Sequence, residues 1–171
     1  MSRSSLNDML GSIVDPALPW NFDLVIDRLP TGVSGNVRDI TIRCQTTSMP
    51  GVQFSPVEVE AHGVKLKYRG RKQYQNTMEC QFIENVDWST YQLFKEWANL
   101  QLNWTRNTGS SSAIYKTTGT IITYDDAGNV TKEQAIKGLW IEQIQDIQLD
   151  GSQDGYVQPT VTFSYDYLDG E

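Results

Sequence analysis

Few residues of this chain are equipped for chemistry. His62 is its single histidine and stands beside Gly63. A metal centre needs several converging ligands and an acid–base pair needs a second titratable group at a workable spacing; His62 has neither nearby. It reads as a solvated turn residue. The segment DGSQDG (150–155) sets Asp150, Ser152, Asp154 and Gly155 at the early positions of a calcium loop, but the twelfth position, which should hold a bidentate Glu, is Val161. A hairpin connection is the better reading. Cys44 and Cys80 do not make a disulfide scaffold, and both fall on the apolar phase of expected strands, as reduced core thiols would. No nucleophile elbow, phosphate-cradling glycine loop or zinc pattern occurs. Neither catalysis nor a cofactor is expected.

What the sequence does carry is unevenly placed charge. KLKYRGRKQY (65–74) puts Lys65, Lys67, Arg69, Arg71 and Lys72 within eight positions, interleaved with tyrosine, in a chain of 171 residues with a formal net charge of −7. After Lys137 no Lys or Arg follows, whereas seven acids do: Glu142, Asp146, Asp150, Asp154, Asp166, Asp169 and Glu171. A dedicated nucleic-acid binder usually presents a net basic domain, which argues against that use of the basic run. Opposite charges in two parts of one chain suit pairing between subunits. Self-association is the favoured reading, ahead of a solvated face and of nucleic-acid contact.

These residues need elements to hold them. FDLVIDRL (22–29), DITIRCQ (39–45), PVEVEA (56–61) and NTMECQFI (76–83) alternate apolar and polar residues, the period of a half-buried strand. In the basic run Val64, Leu66 and Tyr68 take one face, expected to be buried, and the cations take the other. Two long strands, about 113–124 and 130–144, flank DDAGN, a hairpin signal, and VQPTVTFSYDYL forms the last strand. The spacing predicts one helix, about 87–102, capped by Asp87; its apolar residues, among them Trp88, Tyr91, Phe94 and Trp97, cover more than one stripe and call for a second partner. Leu6, Met9, Leu10, Ile13 and Val14 make the stripe of a short N-terminal helix ended by Pro16. The expectation is a mainly β chain forming one domain: an arm (1–20) and a two-sheet β-sandwich or barrel core (21–168) with one flanking helix. No apolar run approaches the roughly 20 residues of a membrane-spanning helix. Asn7 and Asp8 interrupt any apolar leader, so synthesis in a reducing cytoplasm is expected.

Several longer stretches have a familiar look. TTSMPG, FIENVDWSTYQLFKEW and IKGLWIEQIQDIQLD followed by FSYDYL, between about Pro19 and Leu168, resemble the tail tube proteins of contractile-tailed bacteriophages. The best pieces are Leu93-Phe94-Lys95-Glu96-Trp97 and Lys137-Gly138-Leu139-Trp140 with Asp146-Ile147-Gln148-Leu149. The resemblance implies a sandwich subunit closing into hexameric rings that stack, inside a sheath, into a hollow tube through which viral DNA leaves. It implies as partners other copies of the chain, the sheath, a baseplate or tube initiator, and tape measure protein and DNA in the lumen without sequence-specific binding. It implies a place in the virion, made in the host bacterial cytoplasm, with no membrane insertion of its own.

Placed on that picture, the subunit-interface candidates are Lys65, Lys67, Arg69, Arg71, Lys72, Trp88, Tyr91, Phe94 and Trp97. The lumen candidates are the polar phases of two strands: Thr41, Arg43 and Gln45, and Thr118 and Thr120. Arg69-Gly70-Arg71-Lys72 stands where many relatives carry Gly-Asp-Arg, and Met78 where they often have Trp. A type VI secretion or extracellular injection tube subunit, and a longer baseplate tube initiator, share the architecture. A monomeric ligand-binding sandwich using Trp20, Trp104 or Trp140 is the alternative of another kind.

Overall fold

The computed structural model describes residues 17–103, 105–152 and 154–170. The expected N-terminal helix and Trp104 lie outside the described residues. In chain order the elements are β1 (Phe22–Ile26), α1 (Val37–Arg43), β2 (Cys44–Thr46), β3 (Val52–Ala61), β4 (Val64–Tyr74), β5 (Thr77–Phe82) and α2 (Ser89–Gln101). There follow β6 (Leu102–Asn103), β7 (Thr108–Gly109), α3 (Ser112–Tyr115), β8 (Thr117–Tyr124), β9 (Val130–Ile144), β10 (Thr160–Ser164) and β11 (Tyr167–Asp169).

One seven-stranded antiparallel sheet in the order β1-β8-β9-β10-β5-β2, with β11 also on β9, wraps into a nearly closed barrel. Strand β9 is the joint. Its first part pairs β8 on one side and β11 on the other, and its last residues pair β10. Alternation put the core where it was expected: Leu24 and Ile26, Met78, Cys80 and Phe82, and Val161 and Phe163 are all buried. Helix α2 packs one face, Leu93, Phe94 and Trp97, into the core. Phe94 lies 4.9 Å from Phe82 and 6.0 Å from Phe163 between ring centroids, and the Trp97 indole N–H donates to the Tyr115 carbonyl at 2.9 Å.

Three elements depart from expectation. Residues 39–45 are not one strand: α1 takes Val37–Arg43 and only Cys44 onward is extended. Val37 and Ile40, i and i+3, turn to the core while Ile42 is left 68% exposed. The segment is apolar at both periods, and the Asn36 side chain, accepting from the Arg38 N–H at 3.0 Å, favours the helix by capping it. The 113–124 segment begins as the helical turn α3, with extended chain only from Thr117. The last strand breaks at Asp166, so that Leu168 rather than Tyr167 turns inward.

A candidate self-assembly surface

Strands β3 and β4 form a sheet of their own, apart from the barrel. The turn between them is His62-Gly63 with φ of 52° and 78°, the paired positive values of a two-residue hairpin turn. A bulge interrupts the register between Phe54 and Pro56, opposite Gly70. A side chain at Gly70 would run into the Ser55 carbonyl, so the close approach requires glycine.

The expected half-burial of β4 does not occur. Val64, Leu66 and Tyr68 are 57%, 43% and 55% exposed, and their cross-strand partners Val59 and Val57 are exposed as well. The reason is that, among the described residues, no layer lies over the hairpin. A two-stranded ribbon is marginal alone, and an apolar face of this size marks an interaction surface.

The basic row is partly answered within the hairpin. Lys65 stands opposite Glu60 and Lys67 opposite Glu58, the second pair closing at 3.2 Å. Arg69 faces Pro56 instead, and no ion pair among the described residues holds Arg69 or Arg71. The Lys72 ammonium lies 5.1 Å from the centroid of the Tyr74 ring.

On α2 the interface candidates divide. Phe94 and Trp97 are wholly inside the subunit's own core and have no surface to offer a neighbour. Their part in the apolar excess of the helix is explained by the sheet on which its inner face packs. Trp88 and Tyr91 stay at the surface, rings 5.9 Å apart edge to face, with the Lys95 ammonium over the Tyr91 ring at 5.1 Å.

The start of α2 is held by a buried residue that pattern reading missed. Trp88 occupies the N-cap position with φ of 56° and makes no side-chain cap. The Glu84 carboxylate accepts from the Thr90 N–H at 3.1 Å and the Tyr91 N–H at 2.6 Å, satisfying first-turn donors from outside the helix. Asp87, the expected cap, takes only the Ser89 N–H at 3.3 Å. That hydrogen bonding with Ser89 holds the Asp87 carboxyl below the usual range. The Arg43 guanidinium donates to Ser89 Oγ at 2.7 Å and Thr90 Oγ1 at 2.6 Å.

Arg43 and Thr41 therefore sit on a helix, with Arg43 engaged at α2, and the strand phase that made them lumen candidates does not exist. Gln45, on β2, hydrogen-bonds the Tyr156 hydroxyl at 2.9 Å and accepts from Gln158 Nε2 at 2.5 Å. Thr118 and Thr120 take the outward phase of β8, between buried Thr117, Gly119 and Ile121.

The acidic loop between β9 and β10 is the other charged surface. Asp146, Asp150 and Asp154 line an open concavity of about 570 Å³ with Leu149 and Tyr156, which are 72% and 59% exposed. Ser152 donates to Asp150 Oδ1 from N–H and Oγ, at 2.9 and 2.7 Å, and these bonds keep the Asp150 carboxyl below its ordinary range. Among the described residues no group of three or more His, Cys, Asp and Glu could hold a metal ion. The neighbouring Cys80 thiol, with burial, pushes the Cys44 thiol well up and keeps it protonated.

A family model for phage tail tube proteins matches residues 19–168. The chain belongs to that family. Tail tube protein gp19 of Enterobacteria phage T4 is 28% identical over 134 residues, covering 76% of this chain and 81% of that one. The fold also matches a solved sheath–tube complex of the PVC extracellular contractile injection system in the extended state: TM-score 0.64, 15% identity, 97% of each chain. A second match is to the anti-feeding prophage baseplate, 6-fold symmetrised, with TM-score 0.62, 11% identity, 90% of this chain and 94% of that one. The subunit is thus a phage tail tube protein, and its exposed hairpin forms a sheet apart from the barrel.

Proposed function

We propose that this tail tube protein closes into six-membered rings and that the rings stack into the rigid inner tube of a contractile phage tail, from which the genome is ejected. The observation that carries this is the apolar face of the β3–β4 hairpin, which the described residues of one subunit leave uncovered and a neighbouring copy would bury. The sixfold ring is supported by the symmetry named for the anti-feeding prophage baseplate.

The interface is built from Lys65, Lys67, Arg69, Arg71 and Lys72 on the hairpin, with Trp88 and Tyr91 at the start of α2 as a second, separate patch. Gln45, Thr118 and Thr120 are the candidates for the wall. All three are uncharged, and a conduit for a polyanion is better served by a surface that makes no phosphate contacts, each of which would slow transit. The partners are other copies of this chain, a sheath outside, a baseplate or initiator at one end, and tape measure protein and DNA within. The virion is the place of action, after synthesis in the host cytoplasm. Among the described residues no helix is long and apolar enough to cross a membrane.

The test is electron microscopy of the purified chain over a concentration series. Rings or hollow tubes are expected; a chain that stays monomeric even when offered a baseplate would sink the proposal. A second reading, the tube of an extracellular injection system, is favoured by the near-complete fold match to the PVC particle. Capsid and terminase genes beside the coding sequence would decide for the phage.

A further inference from the structure

The two charged surfaces lie at opposite ends of one sheet. Strand β5 runs antiparallel to β10 with Thr77 opposite Ser164 and Gln81 beside Thr160. The hairpin leaves the barrel at the Thr77 end, because Tyr74 closes β4 just before β5 begins. The 145–159 loop leaves at the other end, since it joins Ile144 to Thr160, and Gln45 pins it through Tyr156 and Gln158. About 15 Å of strand separates the two ends.

Their charges are equal and opposite. Residues 52–74 hold five bases against two acids, and residues 145–159 hold three acids and no base. No ion pair among the described residues involves Asp146, Asp150 or Asp154. The bases that stand apart from the Lys–Glu rungs, Arg69 and Arg71, lie between the middle of the hairpin, where Arg69 faces Pro56, and its Val52–Tyr74 root. Each surface also offers exposed apolar groups, Tyr68 on the hairpin and Leu149 and Tyr156 on the loop.

We infer that the acidic 145–159 loop of one copy seats on the Arg69–Arg71 stretch of the hairpin of the next copy, joining subunits head to tail along the strand direction. The inference rests on the tube reading and names the contact that extends the tube. A surface and its complement at opposite ends of one subunit make a heterologous interface, which propagates wherever the rotation between copies does not close a ring. The hairpin, about 35 Å long at the usual rise per residue, then lies along the flank of the copy above and covers its own apolar face.

Charge exchange tests this. Tube formation by the full chain is followed by sedimentation and microscopy for wild type, for Arg69→Glu with Arg71→Glu, for Asp150→Lys with Asp154→Lys, and for all four together. Each reversed pair is expected to raise the concentration needed for tubes by about tenfold or more, and the fourfold variant to return within about threefold of wild type, because the inverted contact attracts again. Undiminished tubes in either reversed pair overturn the inference, as does a fourfold variant that keeps its unfolding transition yet assembles no better than its parents. Should the fourfold variant not fold, an equal mixture of the two reversed pairs replaces it, since each then carries the complement of the other; failure to co-assemble overturns the docking. A wild-type chain that forms neither rings nor tubes would instead remove the tube reading itself.

Discussion

Gly138 lies against the carboxylate of Asp166 so closely that a β-carbon on Gly138 would overlap it. The contact explains the glycine of the KGLW stretch. Gly138 has φ of 71° and drops out of the β8–β9 register between Thr117 and Thr118, a bulge that re-aims β9. Asp166, at the break between β10 and β11, fills the space. Its N–H donates to the Lys137 carbonyl at 2.9 Å, and its carboxylate takes the Lys116 ammonium at 2.7 and 2.8 Å. Gly138→Ala should therefore cost about 2 kcal/mol or more, combining a left-handed backbone with steric overlap. In an Asp166→Ala background the same change should cost measurably less. Gly151→Ala, with nothing near its β-carbon, should leave the urea midpoint unchanged. Equal costs for Gly138→Ala in the two backgrounds would show that the overlap is relieved at no expense.

The cap of α2 makes a second prediction. Glu84→Ala removes the acceptor of two first-turn amides, Thr90 and Tyr91, and should destabilise the fold by about 1–2 kcal/mol in denaturant unfolding. Asp87→Ala should cost distinctly less, because Asp87 holds one amide at 3.3 Å from an exposed position. A reversed ranking would return the cap to Asp87.

How much of this was legible in the sequence depends on how local the deciding contact is. The inward residues of β1, β5 and β10 could be read because alternation and burial are both properties of a few neighbouring residues. The DDAGN turn is equally local: Asp125 Oδ1 accepts from the Ala127 and Asn129 N–H groups at 3.0 and 2.7 Å. Helix α1 could have been found from Asn36 followed by Asp39 at the third helical position, a signal that period-two alternation masked. Glu84 sits outside the usual capping spacing, four residues before the N-cap position. The bare hairpin face could not be read at all. Alternation reports that a face must be covered, not whether the cover comes from the same chain. The same limit assigned Phe94 and Trp97 to a partner when the barrel itself was the partner.

The turn also predicts a pH dependence. Hydrogen bonds from Asn129 and Ala127 to Asp125 favour its ionised form and set its carboxyl below the ordinary range. A carboxyl with a depressed native pKa binds fewer protons folded than unfolded in the window between its two values, so stability there rises with pH. The contribution is present in full above the unfolded value of about 4 and is lost as pH falls through the native value. Asp125→Asn should therefore lose stability at neutral pH and show a shallower decline of Tm on acidification below about pH 4. A Tm profile parallel to wild type over that range would mean that Asp125 contributes nothing to it.

Buried and bare apolar residues should fail in different assays. Phe94 packs against Phe82 and Phe163 inside the barrel, so Phe94→Ala should cost about 3–5 kcal/mol of subunit stability. Among the described residues no layer covers Leu66 and Tyr68. Leu66→Ser with Tyr68→Ser should change subunit unfolding by less than about 1 kcal/mol, as exposed substitutions do. The same pair should abolish or strongly weaken tube formation, since its side chains form the middle of the face to be buried. Reversal of Lys65 and Lys67 should weaken assembly less than reversal of Arg69 and Arg71, because Glu60 and Glu58 stand opposite the two lysines within the hairpin. Subunit stability is read in denaturant below the assembly concentration and tube formation by sedimentation above it. A serine pair that unfolds early yet assembles normally would mean that the hairpin face is covered by its own chain, and the self-assembly surface would have to be sought elsewhere.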